Sequence, residues 1–192
     1  MNHRRALLLL PLLLAGCAGE PQVARTFAPI SYGHLTPLRL NVGAVEVADA
    51  PPPGPVDAAS PAPLGETLRR MGADRLAAGG SAGRAVFAVN EATVTRVGDT
   101  LNGQAVAHLE ILGADGARAG FAEAGVSRRI AGVGRGAAYR AALYDLTRQM
   151  GDDMNVEFEF QVRRSLRDWL QDPTTAPLPA PVEQQELTAP GV

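Results

Sequence analysis

The chain has 192 residues, which is enough for one domain with additional terminal segments. All 18 basic residues are arginine, and with 20 acidic residues they leave a net charge of −2. This mildly acidic balance excludes the basic footprint that nucleic-acid binding requires, so we expect no nucleic-acid partner.

The first 16 residues have the pattern of a secretory signal peptide. Arg4 and Arg5 precede an apolar run over Ala6–Leu14. That run is shorter than the about 20 apolar residues that span a bilayer, and it fits the core of a signal peptide. Removal of residues 1–16 would take away two arginines and change the net charge from −2 to −4.

The tetrapeptide Leu14-Ala15-Gly16-Cys17 resembles the lipobox of bacterial lipoproteins. The resemblance implies that the Cys17 thiol carries a diacylglycerol, that the chain is cut just before it, and that the new amine is acylated. The alternative is an ordinary signal-peptide cleavage site beside a chance cysteine. Cys17 is the sole cysteine and therefore has no disulfide partner in the chain.

This lipidation would anchor the chain to a membrane of the cell envelope, facing the periplasm. The residue after Cys17 is Ala18, whereas an aspartate there is the familiar signal for retention in the inner membrane. We therefore expect the outer membrane rather than the inner one.

The first part of the mature chain is predicted as a tether, a strand and a loop. Residues 17–36 are polar with two prolines, which favours a tether between lipid and domain. Pro37–Ala48 alternates apolar and polar residues, as in a strand with a bulge at Gly43. Asp49–Pro63 holds six prolines in 15 residues, which predicts a stiff, exposed loop.

A helix and a strand follow this loop. Leu64–Ala78 is predicted as a helix because its apolar residues lie on or near one face, with Gly79-Gly80 ending it. Gly83–Val97 is rich in β-branched and aromatic residues and is predicted as a strand.

The segments Leu101–Leu112 and Ala117–Ile130 predict a hairpin around Asp115-Gly116, a dipeptide favoured in two-residue type I′ turns. That turn places Leu109 opposite Ala122, so that the two strands share an apolar face. Two further facing pairs on it are Ala105 with Val126 and Ala107 with Ala124. The opposite face would carry Gln104, Val106, His108, Glu110, Phe121, Glu123 and Arg128.

The last element is ambiguous over Gly151–Leu170. Apolar residues alternate there, as in a strand, at Met154, Val156, Phe158, Phe160 and Val162. Apolar residues also recur every four positions, as in a helix, at Met150, Met154, Phe158, Val162, Leu166 and Leu170. The Glu, Gln and Arg between them favour a helix, so we expect one long helix from Ala137 to about Leu170. Residues 172–192 contain five prolines without periodicity and are predicted as a disordered tail.

The predicted order is strand, helix, strand, hairpin and long C-terminal helix. It is typical of an α+β fold, in which an antiparallel sheet carries helices on one face. We expect a single domain over residues 37–171.

The sequence contains several weak signals for chemistry, and each has a simpler structural interpretation. Residues 132–137 match a dinucleotide-binding glycine pattern, but they follow an antiparallel hairpin and favour a connector. Residues 79–83 lie after a helix and before a strand, the reverse of a phosphate-binding loop.

The candidate catalytic and metal-binding residues are equally weak signals. His108 faces Glu123 without a nearby nucleophile. The acidic stretch Asp145, Asp152, Asp153 and Glu157 lacks calcium-loop spacing. His34 and His108 lack metal-ligand spacing. We expect no catalytic residue, no cofactor and no metal.

Three residues are candidates for contact with a partner protein. In a continuous helix, Val156 and Phe160 point away from the four-residue stripe and need another apolar neighbour. Leu68 and Met71 of the first helix would provide it, or else a partner would. Trp169 belongs to an apolar cluster near the end of the helix. This cluster would either pack in the core or form a docking patch for a partner.

This architecture loosely resembles small α/β envelope lipoproteins, such as the auxiliary lipoproteins of ABC-type lipid transport systems and the lipopolysaccharide-assembly lipoprotein. The resemblance implies a non-catalytic accessory or scaffold in envelope biogenesis or transport, with an envelope protein as partner. The alternative is a lipoprotein that binds a lipid or small hydrophobic ligand between sheet and helices. We expect no enzymatic activity.

Overall fold

The computed structural model describes residues 25–171. Its strands and α-helices in chain order are β1 (Leu38–Leu40), β2 (Ala44–Val47), α1 (Leu64–Arg75), β3 (Leu76–Ala78), β4 (Arg84–Val97), β5 (Thr100–Leu112), β6 (Arg118–Ile130) and α2 (Ala137–Ser165). Cys17, the signal peptide and the predicted tail lie outside the described residues.

The predicted α+β class is confirmed. The main sheet has the strand order β2-β4-β5-β6, and α1 and α2 pack on one of its faces. Its β4–β5 and β5–β6 pairs are antiparallel, whereas the short edge strand β2 runs parallel to β4. A second, two-stranded sheet joins β1 to β3 in parallel.

The predicted single strand over Pro37–Ala48 is wrong, because the chain turns between β1 and β2. The Val42 N–H donates to the Leu40 carbonyl, and the Gly43 N–H donates to the Ala82 carbonyl. The two halves therefore pair with different strands, β1 with β3 and β2 with β4.

Helix α1 ends at Arg75 rather than at the predicted Ala78. Leu76 is extended, with φ −111° and ψ 136°, and Leu76–Ala78 pairs residue by residue with β1. Pairing with a strand 38 positions earlier in the chain therefore overrides the helical pattern over these three residues.

The proline-rich segment before α1 is an irregular loop that is exposed over residues 52–55, as predicted, but it also contains a buried residue. Asp57 begins a short 3₁₀ turn and is only 1% exposed. Its carboxylate accepts a hydrogen bond from the Leu64 N–H at 3.0 Å and so satisfies the first amide of α1. Burial raises the pKa of this carboxyl, and the bond from Leu64 opposes the shift.

The predicted hairpin register is confirmed over most of the β5–β6 pair. Leu109 faces Ala122, Ala107 faces Ala124 and Ala105 faces Val126. The turn itself is longer than the predicted two residues. The Gly113 N–H donates to the Ala117 carbonyl, which leaves a three-residue loop with Gly116 at φ 79°, and the register shifts near Leu112.

The prediction that Arg128 lies on the outer face of the sheet is wrong. Arg128 faces Gly103 across the ladder, on the same side as the buried alanines. Its guanidinium donates to Asp153 and to Gln149 of α2, at 2.9 Å for each of two bonds. The side chain thus connects the sheet to the helix at the edge of the core.

The predicted long helix is confirmed, since α2 runs without interruption over Ala137–Ser165. A short 3₁₀ turn over Arg167–Trp169 follows in place of the predicted helical end. The stripe that α2 buries consists of Leu143, Leu146, Met150, Met154, Phe158 and Val162. This stripe faces small residues of the sheet, namely Gly103, Ala105, Ala107, Ala122 and Ala124. The small residues allow the helix to approach closely, and its longer side chains fill the space.

Residues 25–36 pack on the domain, although they were predicted as part of a tether. Ile30 and Tyr32 are buried, and the Tyr32 hydroxyl donates to Asp152 of α2 at 3.2 Å. The Tyr144 hydroxyl donates to the Ala28 carbonyl at 2.9 Å. The part of the predicted tether that the structure describes is therefore a strap along α2.

No helix within residues 25–171 combines the length and the apolar character needed to cross a bilayer.

Candidate functional site

The solvent-facing side of α2 carries two large apolar side chains. Val156 is 69% exposed and Phe160 is 55% exposed. Two positions along a helix correspond to about 200° of rotation, so residues 156 and 160 lie opposite the buried positions 154, 158 and 162. We call Val156 and Phe160 together the outer α2 patch.

Helix α1 does not cover the outer α2 patch. Leu68 and Met71, which were the expected neighbours, are fully buried in the core shared by the sheet and the helices. Polar groups connect the two helices instead. Arg75, only 3% exposed, donates to Asn155 at 2.7 Å and pairs with Glu159.

Arg75 also donates to the carbonyl of Thr36, so one buried guanidinium joins α1, α2 and the strap before β1. A buried arginine is tolerated only when its donors are satisfied, as they are here. The sequence gives no sign of this role for Arg75, because an arginine in the last turn of a helix ordinarily lies in solvent.

A basic groove lies beyond the outer α2 patch, near the C-terminal end of α2. The groove measures about 490 Å³ and is lined by Pro37, Leu38, Arg39, Arg163, Arg167, Leu170 and Gln171. Arg163 pairs with Glu159 at 2.8 Å, one turn before it. Val156, Phe160 and Arg163 follow helical spacing within α2, so apolar and basic residues share one stripe. Arg167 lies in the 3₁₀ turn beyond the end of α2.

A second groove, of about 410 Å³, lies between the strap and α2. Val156 forms part of its wall, together with Tyr32, His34, Leu35 and Tyr144. Burial and the neighbouring Asp152 raise the pKa of the Tyr32 phenol, so it stays protonated and keeps donating to that carboxylate. The outer α2 patch therefore borders this second groove through Val156.

Trp169, the third candidate contact, does not lie in this patch. It is partly buried in the turn after α2, where its carbonyl accepts from the Asn41 N–H. Its indole nitrogen would lie 3.4 Å from a Cβ built on Gly120 of β6. The structure thus brings Val156 and Phe160 together and places Trp169 against the sheet.

The interior between sheet and helices is filled by side chains. Phe87 and Phe158 meet edge to face with ring centroids 5.3 Å apart, and Met150 and Met154 are fully buried beside them. A lipid between these layers would have to displace this core.

The residues that gave the weak signals for chemistry take part in structural contacts. His108 faces Glu123 in the ladder, but its Nδ1 lies 2.6 Å from the Asn90 side-chain oxygen and its ring stacks on Phe121. In the connector before α2, the Val133 N–H donates to the Asp99 carbonyl. The amides of Gly79 and Gly80 donate to the carbonyls of residues 40 and 42, so they are not directed toward a phosphate.

The acidic stretch of α2 is distributed among ion pairs and hydrogen bonds. Asp145 pairs with Arg25, which lowers the pKa of the carboxyl. Asp152 pairs with Arg148, and Asp153 pairs with Arg128. Within residues 25–171, no three His, Cys, Asp or Glu side chains come together in a way that would hold a metal ion.

Comparison with known proteins assigns no family to the chain. No family model matches it, and no curated protein matches it. A solved structure of a candidate lipoprotein from Caulobacter crescentus CB15 is 18% identical, with a TM-score of 0.37, and the match covers 62% of this chain and 85% of that one. A structure from Xanthomonas campestris, linked to the DUF330 family model, is 12% identical with a TM-score of 0.35 and coverages of 74% and 90%. At these values, neither similarity bears on what this chain does.

Proposed function

We propose that the mature chain is an envelope lipoprotein, held by lipid on Cys17 at the periplasmic face of the outer membrane. In this proposal it acts as a non-catalytic accessory or scaffold in envelope biogenesis or transport. It binds an envelope protein through the outer α2 patch.

The observation that carries the proposal is the exposure of Val156 and Phe160 on the same side of a well-packed helix. The apolar stripe on the opposite side of α2 is buried, so the exposure of these two side chains does not reflect a poorly formed core. Two adjacent large apolar groups beside a groove are typical of a protein–protein contact.

The surroundings of the patch indicate the chemistry of the partner. The basic groove is lined by Arg163 near the end of α2, by Arg167 in the 3₁₀ turn that follows, and by Arg39. A complementary surface would present an apolar centre to Phe160 and carboxylates to the arginines.

A non-catalytic role agrees with how the polar side chains are used. The buried Arg75 joins structural elements, and the buried Asp57 accepts from the first amide of α1. His108 is held by Asn90 and Phe121 on the outer sheet face. Each of these polar groups therefore has a role in folding or local packing.

Site-specific photo-crosslinking in the native host tests the docking surface. A photoreactive residue at position 160 of the full chain should capture one recurring envelope protein. Val156→Asp and Phe160→Asp should each abolish its co-purification, because a charge in an apolar contact is costly to desolvate.

Phe121→Asp is the matched control, because Phe121 is also an exposed aromatic residue but lies on the outer face of the sheet. It should leave co-purification intact. Equal loss with all three variants, or capture from position 121 and not from position 160, would contradict the proposed surface.

A further inference from the structure

The strap of residues 25–36 runs along α2 in one direction. Thr36 lies near Glu159, since both contact Arg75, and Tyr32 bonds Asp152. Earlier in the strap, Arg25 bonds Asp145 through two hydrogen bonds of 2.8 and 2.9 Å. Followed backward from residue 36, the chain therefore moves toward the N-terminal end of α2.

This direction limits where Cys17 can lie. Eight residue steps separate it from Arg25, and a fully extended chain covers about 26–29 Å over that length. The N-terminal end of α2 lies eight residues before Asp145, about 12 Å along the axis. Its C-terminal end lies 20 residues beyond Asp145, about 30 Å along the axis. A lipid on Cys17 therefore reaches a membrane most easily at the N-terminal end.

That end of the domain has the surface chemistry of a membrane-contacting region. The β4–β5 turn lies there and presents Val97, which is 70% exposed. Tyr139 in the first turn of α2 lies beneath the Arg96 guanidinium, 4.7 Å from the ring centroid. Apolar and aromatic side chains flanked by arginine are typical of a membrane–water interface.

Positive charge predominates at this end. Arg129, Arg135 and Arg140 are exposed there. The nearby carboxylates are Asp99, in the β4–β5 turn, and Asp145, which pairs with Arg25. The guanidinium of Arg140 lies 5.9 Å from the Phe27 ring centroid, so the strap itself is part of this surface.

We infer that the end of the domain formed by the β4–β5 turn and the start of α2 contacts anionic phospholipid headgroups, with Val97 and Tyr139 at the bilayer surface and Arg135 and Arg140 as the cationic contacts. The inference rests on the lipid anchor of the proposed function. It directs the opposite end of α2, with the basic groove, away from the membrane and toward the periplasm.

Fluorescence energy transfer in vesicles tests this orientation, because Trp169 is the only tryptophan and lies beyond the far end of α2. The full chain is purified from its host and incorporated into phosphatidylcholine–phosphatidylglycerol vesicles that contain a dansyl-labelled headgroup lipid. A second protein carries Trp169→Phe and Tyr139→Trp. The Tyr139→Trp reporter should transfer energy to the lipid much more efficiently than the native Trp169.

The charge contribution is tested by Arg135→Gln with Arg140→Gln in the reporter protein. Each arginine near an anionic surface contributes about 1 kcal/mol, so each loss should reduce the ratio of docked to undocked domains about fivefold. Arg163→Gln with Arg164→Gln, at the far end of α2, is the matched control and should have no effect. Pure phosphatidylcholine vesicles should give low transfer with every variant.

The possible failures are distinguishable. If the intact chain does not float with the vesicles, the lipid anchor fails, and this inference fails with it. If the chain floats but Trp169 transfers energy as efficiently as the Tyr139→Trp reporter, the anchor stands and the proposed orientation is overturned. Equal loss of transfer in the Arg163/Arg164 control would overturn the assignment of the cationic contacts.

Discussion

The substitutions Phe158→Ala and Phe160→Ala should differ strongly in cost, although the two residues are two positions apart. Phe158 is 1% exposed and packs edge to face on Phe87, whereas Phe160 is 55% exposed. The same side chain is therefore removed once from the core and once from the surface of the same helix.

The expected magnitudes follow from burial. A buried phenylalanine removes about 150–250 Å² from water, worth about 4–6 kcal/mol at about 25 cal/mol per Å². Alanine retains part of this buried apolar area, and phenylalanine-to-alanine substitutions in protein cores cost about 3–5 kcal/mol. At Phe160, the smaller apolar loss is offset by the better helix propensity of alanine, so the cost should stay near or below about 1 kcal/mol.

Urea unfolding followed by circular dichroism measures both costs on the same chain. A difference of about 3 kcal/mol corresponds to roughly 6–12 °C in Tm for a domain of this size. Equal costs at the two positions would refute the reasoning, because equal burial at positions 158 and 160 is what a strand would give. A large cost at Phe160 alone would reverse the assigned faces of α2.

Three further predictions concern backbone and charge. Gly72→Ala should destabilise the fold by about 1–3 kcal/mol, although alanine normally favours a helix, because its Cβ would overlap the ring of the buried Phe87. Thermal melts that show stabilisation would contradict this close approach. Gly116→Val should cost about 1 kcal/mol or more in urea unfolding, since residue 116 has φ 79°, and a neutral result would contradict the turn. Because Arg25 lowers the pKa of Asp145, that pair stabilises the fold above the ordinary pKa of 3.8 and is lost as pH falls through the lowered value. Chemical unfolding across pH 2–7 should therefore show a stability gap between wild type and Arg25→Gln that narrows in acid, and a constant gap would contradict the pair.

The parts of the fold that the sequence predicted well depend on local chemistry. The Asp115-Gly116 dipeptide and the alternation on both flanking strands were enough to set the β5–β6 register. The same register also places Arg128 on the inner face, opposite Gly103. The prediction that Arg128 lies on the outer face did not follow this register, and the ion pair with Asp153 of α2 holds the side chain on the inner side.

The parts that were missed depend on contacts between distant segments. Leu76–Ala78 leaves the helix because it pairs with β1, and the chain around Val42 turns so that β1 and β2 enter different sheets. Asp57 bonds an amide seven positions later from within a proline-rich loop, which matches no local capping pattern. For the candidate site, helical spacing already identified Val156 and Phe160 as unsatisfied by the core. Whether α1 would cover them was a tertiary question that the sequence left open.

The proposed envelope role depends above all on the lipid anchor. Mass spectrometry of the mature protein, purified from its native host, measures this directly. We predict an N-terminus at Cys17 that carries a diacylglycerol on the thiol and an acyl chain on the amine, and loss of this mass increment in Cys17→Ser. A mature chain with an intact, unmodified Cys17 thiol, or one that begins at a different residue, would contradict the account.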